Sequence, residues 1–202
     1  HELFQGGDKE VYNMSTDIFV VDTPFLIEKL EEEAAKEEPR KLRYVLRDLA
    51  VAENAFAYEY TGYLSNIHSV KAYFDANLDM LESQKFYKLF APNQKVYTKV
   101  KNEEPTYYAD SSEVKLSQFA SGSIVRGKVE NSMISRNVDF SEGSSVSHSI
   151  IFPRVKVAKG ATVEYAIVDK GVEIAEGVTI RGTEDNPVVI KKGSVVTEDI
   201  VR

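Results

Sequence analysis

Large apolar side chains in the C-terminal part of the chain fall at positions 134, 140, 146, 151, 157, 163, 168, 174 and 180, spaced six, six and five in rotation. Laid out in rows of 17, Phe140-Ser141-Glu142-Gly143-Ser144-Ser145-Val146 superimposes on Val157-Ala158-Lys159-Gly160-Ala161-Thr162-Val163 and on Ile174-Ala175-Glu176-Gly177-Val178-Thr179-Ile180. The same shift relates Asn131-Ser132-Met133-Ile134 to His148-Ser149-Ile150-Ile151 and to Tyr165-Ala166-Ile167-Val168. A spacing near six is the signature of a hexapeptide β-helix: each hexapeptide supplies one short strand and one corner, and three close a triangular coil. Gly143, Gly160 and Gly177 mark one corner, where a residue without Cβ most easily takes positive φ. A sandwich of ordinary strands would space them unevenly at eight to twelve residues.

Upstream the periodicity changes. Val11 to Asp22 contains the apolar run Ile18-Phe19-Val20-Val21, which predicts a central strand. Thr23-Pro24 reads as an N-cap with proline at the first helical position, opening a helix that ends in the acidic run Glu31 to Glu38, taken as a solvated face. Lys41 to Val51 predicts a second helix, and Ala55 to Tyr60 a strand closed by Gly62. Ser69 caps a third helix in which Val70, Tyr73, Phe74, Leu78 and Leu81 share a face. The expected organisation is thus an α/β portion over residues 1–87, a linker over 88–112 rich in Pro, Asn, Thr and Tyr, and a β-helix over 113–202. The β-helix starts near Val114, with an insertion at Thr183 to Pro187. Three helices and two strands are too few for a complete doubly wound domain, so residues 1–87 read as the tail of a larger one. The opening His1-Glu2-Leu3-Phe4-Gln5-Gly6-Gly7 lacks an initiator Met and reads as an internal fragment or a cloning remnant.

Composition narrows the chemistry. The 202 residues carry 25 Lys and Arg against 32 Asp and Glu, a net charge of -7 that argues against nucleic-acid binding. The absence of cysteine excludes thiol catalysis and Cys-ligated zinc and fits a reducing cytoplasm. No apolar run reaches the length of a membrane span, and no signal peptide is visible. The histidines are His1, His68 and His148, none at metal-ligand spacing, and no P-loop, G-x-S-x-G or G-x-G-x-x-G element occurs. His148 is a candidate general base for acyl transfer, the chemistry of many hexapeptide proteins, but its alignment with Asn131 and Tyr165 makes it a solvent-facing corner residue. Ser132 and Ser149, also aligned, are expected to satisfy corner hydrogen bonds. Asp48 and the acidic run have no visible partner for paired acid/base work.

Taken together, Gly62-Tyr63-Leu64-Ser65-Asn66-Ile67-His68-Ser69-Val70, the linker from Val96-Tyr97-Thr98-Lys99-Val100 to Pro105-Thr106-Tyr107-Tyr108, and the repeats resemble the glucose-1-phosphate adenylyltransferase (ADP-glucose pyrophosphorylase) family, nearest its GlgD-type regulatory subunits. The resemblance runs from about Val11 onward. It implies the tail of a Rossmann-like nucleotidyltransferase domain followed by a left-handed parallel β-helix, the first joining ATP to glucose 1-phosphate and the second serving assembly and allostery. It also implies that the catalytic glycine-rich loop lies upstream, and that a catalytic GlgC-type subunit, in a heterotetramer, or a second copy is the partner. Mg2+ is expected in the active complex, with no cofactor in this stretch. Catalytic members carry Gly-Tyr-Trp-x-Asp-Val-Gly-Thr with a metal-binding Asp; here Leu64 replaces the Trp, Asn66 the Asp and His68 the Gly. Their Ala-Ser-Met-Gly-Ile-Tyr strand, whose Ser touches sugar phosphate, becomes Met14-Ser15-Thr16-Asp17-Ile18-Phe19, and Arg47-Asp48 is the nearest match to the end of their Asp-Phe-Gly-Lys-Asp element. Ser15, Asp17 and Asn66 are therefore vestigial substrate-site positions, with no catalytic residue and no metal ligand among them. The implied role is a regulatory, largely non-catalytic subunit in glycogen synthesis. Acyl transfer, or a catalytic nucleotidyltransferase making another NDP-sugar, are the alternatives.

Overall fold

In a computed structural model of the chain, which describes residues 2–5, 12–52, 55–91, 93 and 95–202, two compact units are distinct, His1–Tyr60 and Thr61–Arg202. The second unit is dominated by a parallel β-solenoid whose strands form three sheets. Six strands, from Glu113–Lys115 to Ile200–Val201, make the first sheet; five, from Gln118–Phe119 to Val188–Ile190, the second; six, from Tyr107–Tyr108 to Val195–Val196, the third. Every strand pairs in parallel with its equivalent one coil away. Val129 lies on Val146, Val163 and Ile180, and Phe140 on Val157 and Ile174, steps of 17 residues. Inward side chains from all three sheets form one core in which Val125, Val129, Phe140, Val146, Ile151, Val157, Val163, Val168 and Ile180 are completely buried.

The corners explain the repeat. Gly143, Gly160 and Gly177 have φ of 71°, 68° and 72°, as their recurrence predicts, and a Cβ at Gly160 would meet nothing closer than 3.9 Å. The left-handed backbone, rather than crowding, selects glycine there. The other two corners also turn through positive φ but use Leu116, Asn131, His148 and Tyr165 at one, and Asn137 and Arg154 among glycines at the other. Buried serines close the first of these. Ser132 Oγ donates to Glu130 O at 2.7 Å and accepts from Ser149 N at 3.1 Å; Ser149 Oγ donates to Ser147 O and accepts from Ala166 N at the same distances. The expected insertion is a turn closed by Thr183 and Asn186, after which Val188 resumes the ladder by donating to Tyr165 O at 3.0 Å.

The solenoid reaches back to Tyr107–Tyr108, ahead of the start that aliphatic spacing suggests, because tyrosine at the template positions breaks the pattern while the backbone still pairs with Ile124–Val125. Glu104 O accepts from Gly122 N at 2.7 Å, and Thr106 Oγ1 donates to Ala120 O at 2.7 Å, so the end of the expected linker is already bound to the coil.

Among the described residues four helices precede the solenoid: α1 (Thr23–Ala34), α2 (Leu42–Ala52), α3 (Val70–Leu78) and α4 (Ser83–Leu89), with a 3₁₀ turn at Asp79–Leu81. The sequence reading missed α4 and ran α3 through Leu81. Ser69 caps α3 as expected, accepting from Ala72 N at 3.1 Å. Beside the coil, α3 lays Phe74, 1% exposed, against Ile150 and Ile167 on the outer face of the second sheet. The signal for this contact is present in the doublets Met133-Ile134, Ile150-Ile151 and Ile167-Val168, because a strand buried on both faces reads apolar at successive positions.

Three expectations in the first unit are corrected. Asp22, not Thr23, is the N-cap of α1; its side chain accepts from Phe25 N at 3.1 Å. Ile18–Val21 and Ala55–Tyr60 form neither strand nor helix, with Val20, Phe56 and Tyr58 almost fully exposed; the paired strands described in this unit are Glu2–Gln5 and Tyr12–Met14. A strand exists only with a neighbour to bond, and apolar composition alone does not supply one. Val11, the start of the first expected strand, lies outside the described residues. The acidic run is not simply a solvated face either, since Glu33 is 5% exposed. Its carboxylate accepts from Arg40 Nε at 2.9 Å, Arg40 Nη2 at 3.0 Å, Lys36 Nζ at 2.5 Å and Arg40 N at 3.0 Å, clamping the α1–α2 connection. Arg40 also reaches Asp48 Oδ2 at 2.6 Å, so Asp48 is partnered. Among the described residues no helix is long and apolar enough to cross a membrane.

Two predictions follow from these contacts. Hydrogen bonds from Arg40 and then Lys36 hold the Glu33 carboxyl well below the usual carboxylate range. Its stabilising contribution is present above its ordinary value of 4.5 and is lost as pH falls below it toward the folded value. Protection factors of α1 and α2 amides, corrected for the intrinsic pH dependence of exchange, should therefore fall below that pH, and Glu33→Gln should remove this acid dependence. In the solenoid, Phe140→Ala should cost about 3–5 kcal/mol in denaturant unfolding by opening a cavity in a collapsed core. Gly160→Ala should cost only about 1–2 kcal/mol, from its backbone alone.

Candidate functional site

The three positions expected from sequence do not occur in one unit. Ser15 and Asp17 belong to the first unit and Asn66 to the second. Ser15 and Asp17 lie together in a tight bend, where Ser15 Oγ donates to Asp17 Oδ1 at 3.3 Å and accepts from Asp17 N at 3.2 Å. Asp17 has φ of 55°, a left-handed conformation that Asp tolerates better than most residues and glycine best. Asp17 thus closes the bend in a left-handed conformation and presents an exposed carboxylate. Arg43 faces it; the Tyr44 hydroxyl at 2.6 Å, with Asp17 a weaker contributor, favours its charged form. An anion approaching Ser15 meets a hydroxyl already engaged and a negative neighbour, with one cation behind.

Asn66 lies in the exposed segment that leads into α3. Its carbonyl accepts from His68 N at 3.2 Å and lies 3.0 Å from His68 Nδ1. The segment is anchored nearby by the Tyr63 hydroxyl, which donates to Asp79 Oδ2 at 2.9 Å, while Lys85 Nζ donates to Asp79 Oδ1 at 2.6 Å. Burial, then the hydrogen bond to Asp79, push the Tyr63 hydroxyl up from its ordinary value. Asn66 itself offers a neutral carboxamide, not a carboxylate. Among the described residues no group of three or more His, Cys, Asp or Glu side chains converges to hold a metal ion. A hard divalent cation takes charged oxygen ligands, so the residues around Asn66 do not fit Mg2+.

His148 is half-buried rather than solvent-facing. Its ring stacks on Tyr165 with centroids 4.8 Å apart and 15° between planes, and Nε2 lies 3.2 Å from Asn131 Nδ2. Nδ1 is enclosed and has no hydrogen-bond partner. With one nitrogen against Asn131 and the other enclosed, no carboxylate orients the ring toward an incoming hydroxyl, so this is a stacked corner and not an assembled acyl-transfer base. Ser132 and Ser149 are likewise committed to backbone groups of their own and the next coil.

Comparison with known proteins agrees with this architecture. Residues 101–201 match the family model described as GlmU-like, C-terminal hexapeptide. The chain is 34% identical over 198 residues to the glycogen biosynthesis protein GlgD of Bacillus subtilis (strain 168), covering 98% of this chain and 55% of that protein. It is 52% identical over 127 residues to GlgD of Geobacillus stearothermophilus, covering 63% of this chain and 37% of that protein. To the glucose-1-phosphate adenylyltransferase of Clostridium acetobutylicum it is 41% identical over 191 residues, covering 93% of this chain and 50% of that protein. The chain spans about half the length of the curated relatives it matches. With the hexapeptide model matched across half its residues, on the segment where the three-sheet solenoid stands, the chain belongs to the GlmU-like C-terminal hexapeptide family.

Proposed function

We propose that this chain forms part of a regulatory, largely non-catalytic subunit of a glucose-1-phosphate adenylyltransferase acting in glycogen biosynthesis. Its relatives carry both the GlgD and the adenylyltransferase names, so resemblance alone does not choose between a regulatory and a catalytic role. The observation that carries the choice is Asn66: a neutral amide, without converging carboxylates among the described residues, where the resemblance expects a metal-binding Asp. Asp17 works in the same direction by setting a carboxylate beside the serine that would meet a sugar phosphate.

In this reading the chemistry, ATP plus glucose 1-phosphate to ADP-glucose and diphosphate, takes place in a catalytic GlgC-type subunit that supplies the Mg2+ site. The present chain contributes assembly and control, and its solenoid offers a rigid, flat-sided body for subunit contact. The stacked geometry of His148 gives the acyl-transfer alternative no support.

The experiment is an assay of ADP-glucose formation by the full-length protein, alone and mixed with the catalytic subunit, with mass measured by light scattering. Alone it should turn over about 100-fold or more slowly than the catalytic subunit, the loss expected when a metal contact worth about 3 kcal/mol in the transition state is missing. Mixed, the two should co-elute as a heterotetramer whose rate or effector response differs from that of the catalytic subunit alone. Full turnover by the lone protein, abolished by Asn66→Ala, would overturn the assignment.

A further inference from the structure

Between α3 and the outer face of the second sheet lies an open cavity of about 350 Å³. Met133 and Phe152 form its apolar floor, Tyr73 and Asn77 come from α3, and Gln118 and Ser135 come from the coil. Two of the polar groups are held in fixed orientation by bonds that leave one atom spare. Asn77 Nδ2 donates to Tyr73 O at 2.8 Å, and Gln118 Nε2 donates to Met80 O at 2.5 Å, so each amide keeps its Oδ1 or Oε1 for another donor. The hydroxyls of Tyr73 and Ser135 have no hydrogen-bond partner among the described residues. The cavity therefore offers two fixed acceptors, two hydroxyls able to donate or accept, and aromatic rings.

No charged residue lines it, in a chain of which 28% is charged. That absence decides the class of ligand. A phosphate or carboxylate would lose water without gaining a cation, a strongly unfavourable exchange. An uncharged molecule rich in vicinal hydroxyls would give its protons to the two amide oxygens, exchange hydrogen bonds with the two hydroxyls, and lay its C–H face on the rings. The dimensions are those of a small-molecule site with a few convergent polar groups.

From this arrangement we infer that the α3 groove binds an unphosphorylated pyranose unit of an oligosaccharide. None of Asn66, Ser15 and Asp17 lines this groove, and the inference stands or falls independently of the enzymatic role.

Titration of the isotopically labelled full chain with maltotriose, followed by amide and side-chain NMR shifts, tests it. Saturable shifts should be confined to Tyr73, Asn77, Gln118, Ser135 and their neighbours, with Kd on the order of millimolar, near the weak end of specific recognition. Tyr73→Phe, which keeps the ring and removes the hydroxyl, and Asn77→Ala should each weaken binding about tenfold, one hydrogen bond's worth. Unchanged melting temperatures would show that the fold survives in both variants. Glucose 1-phosphate should not shift these residues. Shifts scattered over the surface, no saturation, equal binding of glucose 1-phosphate at the groove, or unaltered affinity in both stably folded variants would each overturn the assignment.

Discussion

A strand of two or three residues makes too few hydrogen bonds to stand alone, so each side of the prism holds only because an equivalent strand lies in register on it. The axial hydrogen bonds and the stacked interior impose the same requirement: Val146 must sit on Val129 and under Val163, and a slip of one residue would turn the whole aliphatic row outward. Everything else in the solenoid serves this register. The positive-φ corners set where each strand begins, the serine hydroxyls tie Ser132 to Ser149 and Ser149 to Ala166, and ion pairs such as Lys156 with Glu173 and Arg181 with Glu164 run between adjacent coils on the outside. Those outer pairs are exposed and add about 0.2–1 kcal/mol each, against several for a collapsed core position.

This constraint is also why the solenoid was legible in the sequence and the rest less so. A period repeated at 140, 157 and 174 leaves one geometry in which all the large residues are inside, and glycine at 143, 160 and 177 names the corner. The α3 contact needed a second reading of the same rows: Ile150 and Ile167 sit next to the inward residues and are also apolar, which is intelligible only if something covers the outside. In the first unit the text is ambiguous in a different way. Ile18-Phe19-Val20-Val21 has the composition of a strand, but composition says nothing about whether a neighbouring edge is there to bond. Glu33 shows the same limit for charge, since nothing in a run of glutamates reveals that one of them turns inward to meet Arg40.

The candidate positions behave similarly. Ser15, Asp17 and Asn66 stand out in the sequence only through a family resemblance, and the local geometry gives each its immediate surroundings. Asp17 occupies a left-handed bend, and Asn66 lies in the segment that Tyr63 tethers to Asp79.

The turn at Thr183–Pro187 shows how such a prism tolerates change. Val168 pairs with Ile190 and Ile174 with Val196, although each pair is 22 residues apart instead of 17, so the extra chain is absorbed wholly outside the ladder. The rise from coil to coil is fixed by hydrogen bonding at about 4.8 Å whatever the length of the corner. Height along the axis and girth at the corners are therefore independent variables: such a rod can acquire spurs, hooks or grafted peptides at its vertices while remaining a ruler of constant pitch.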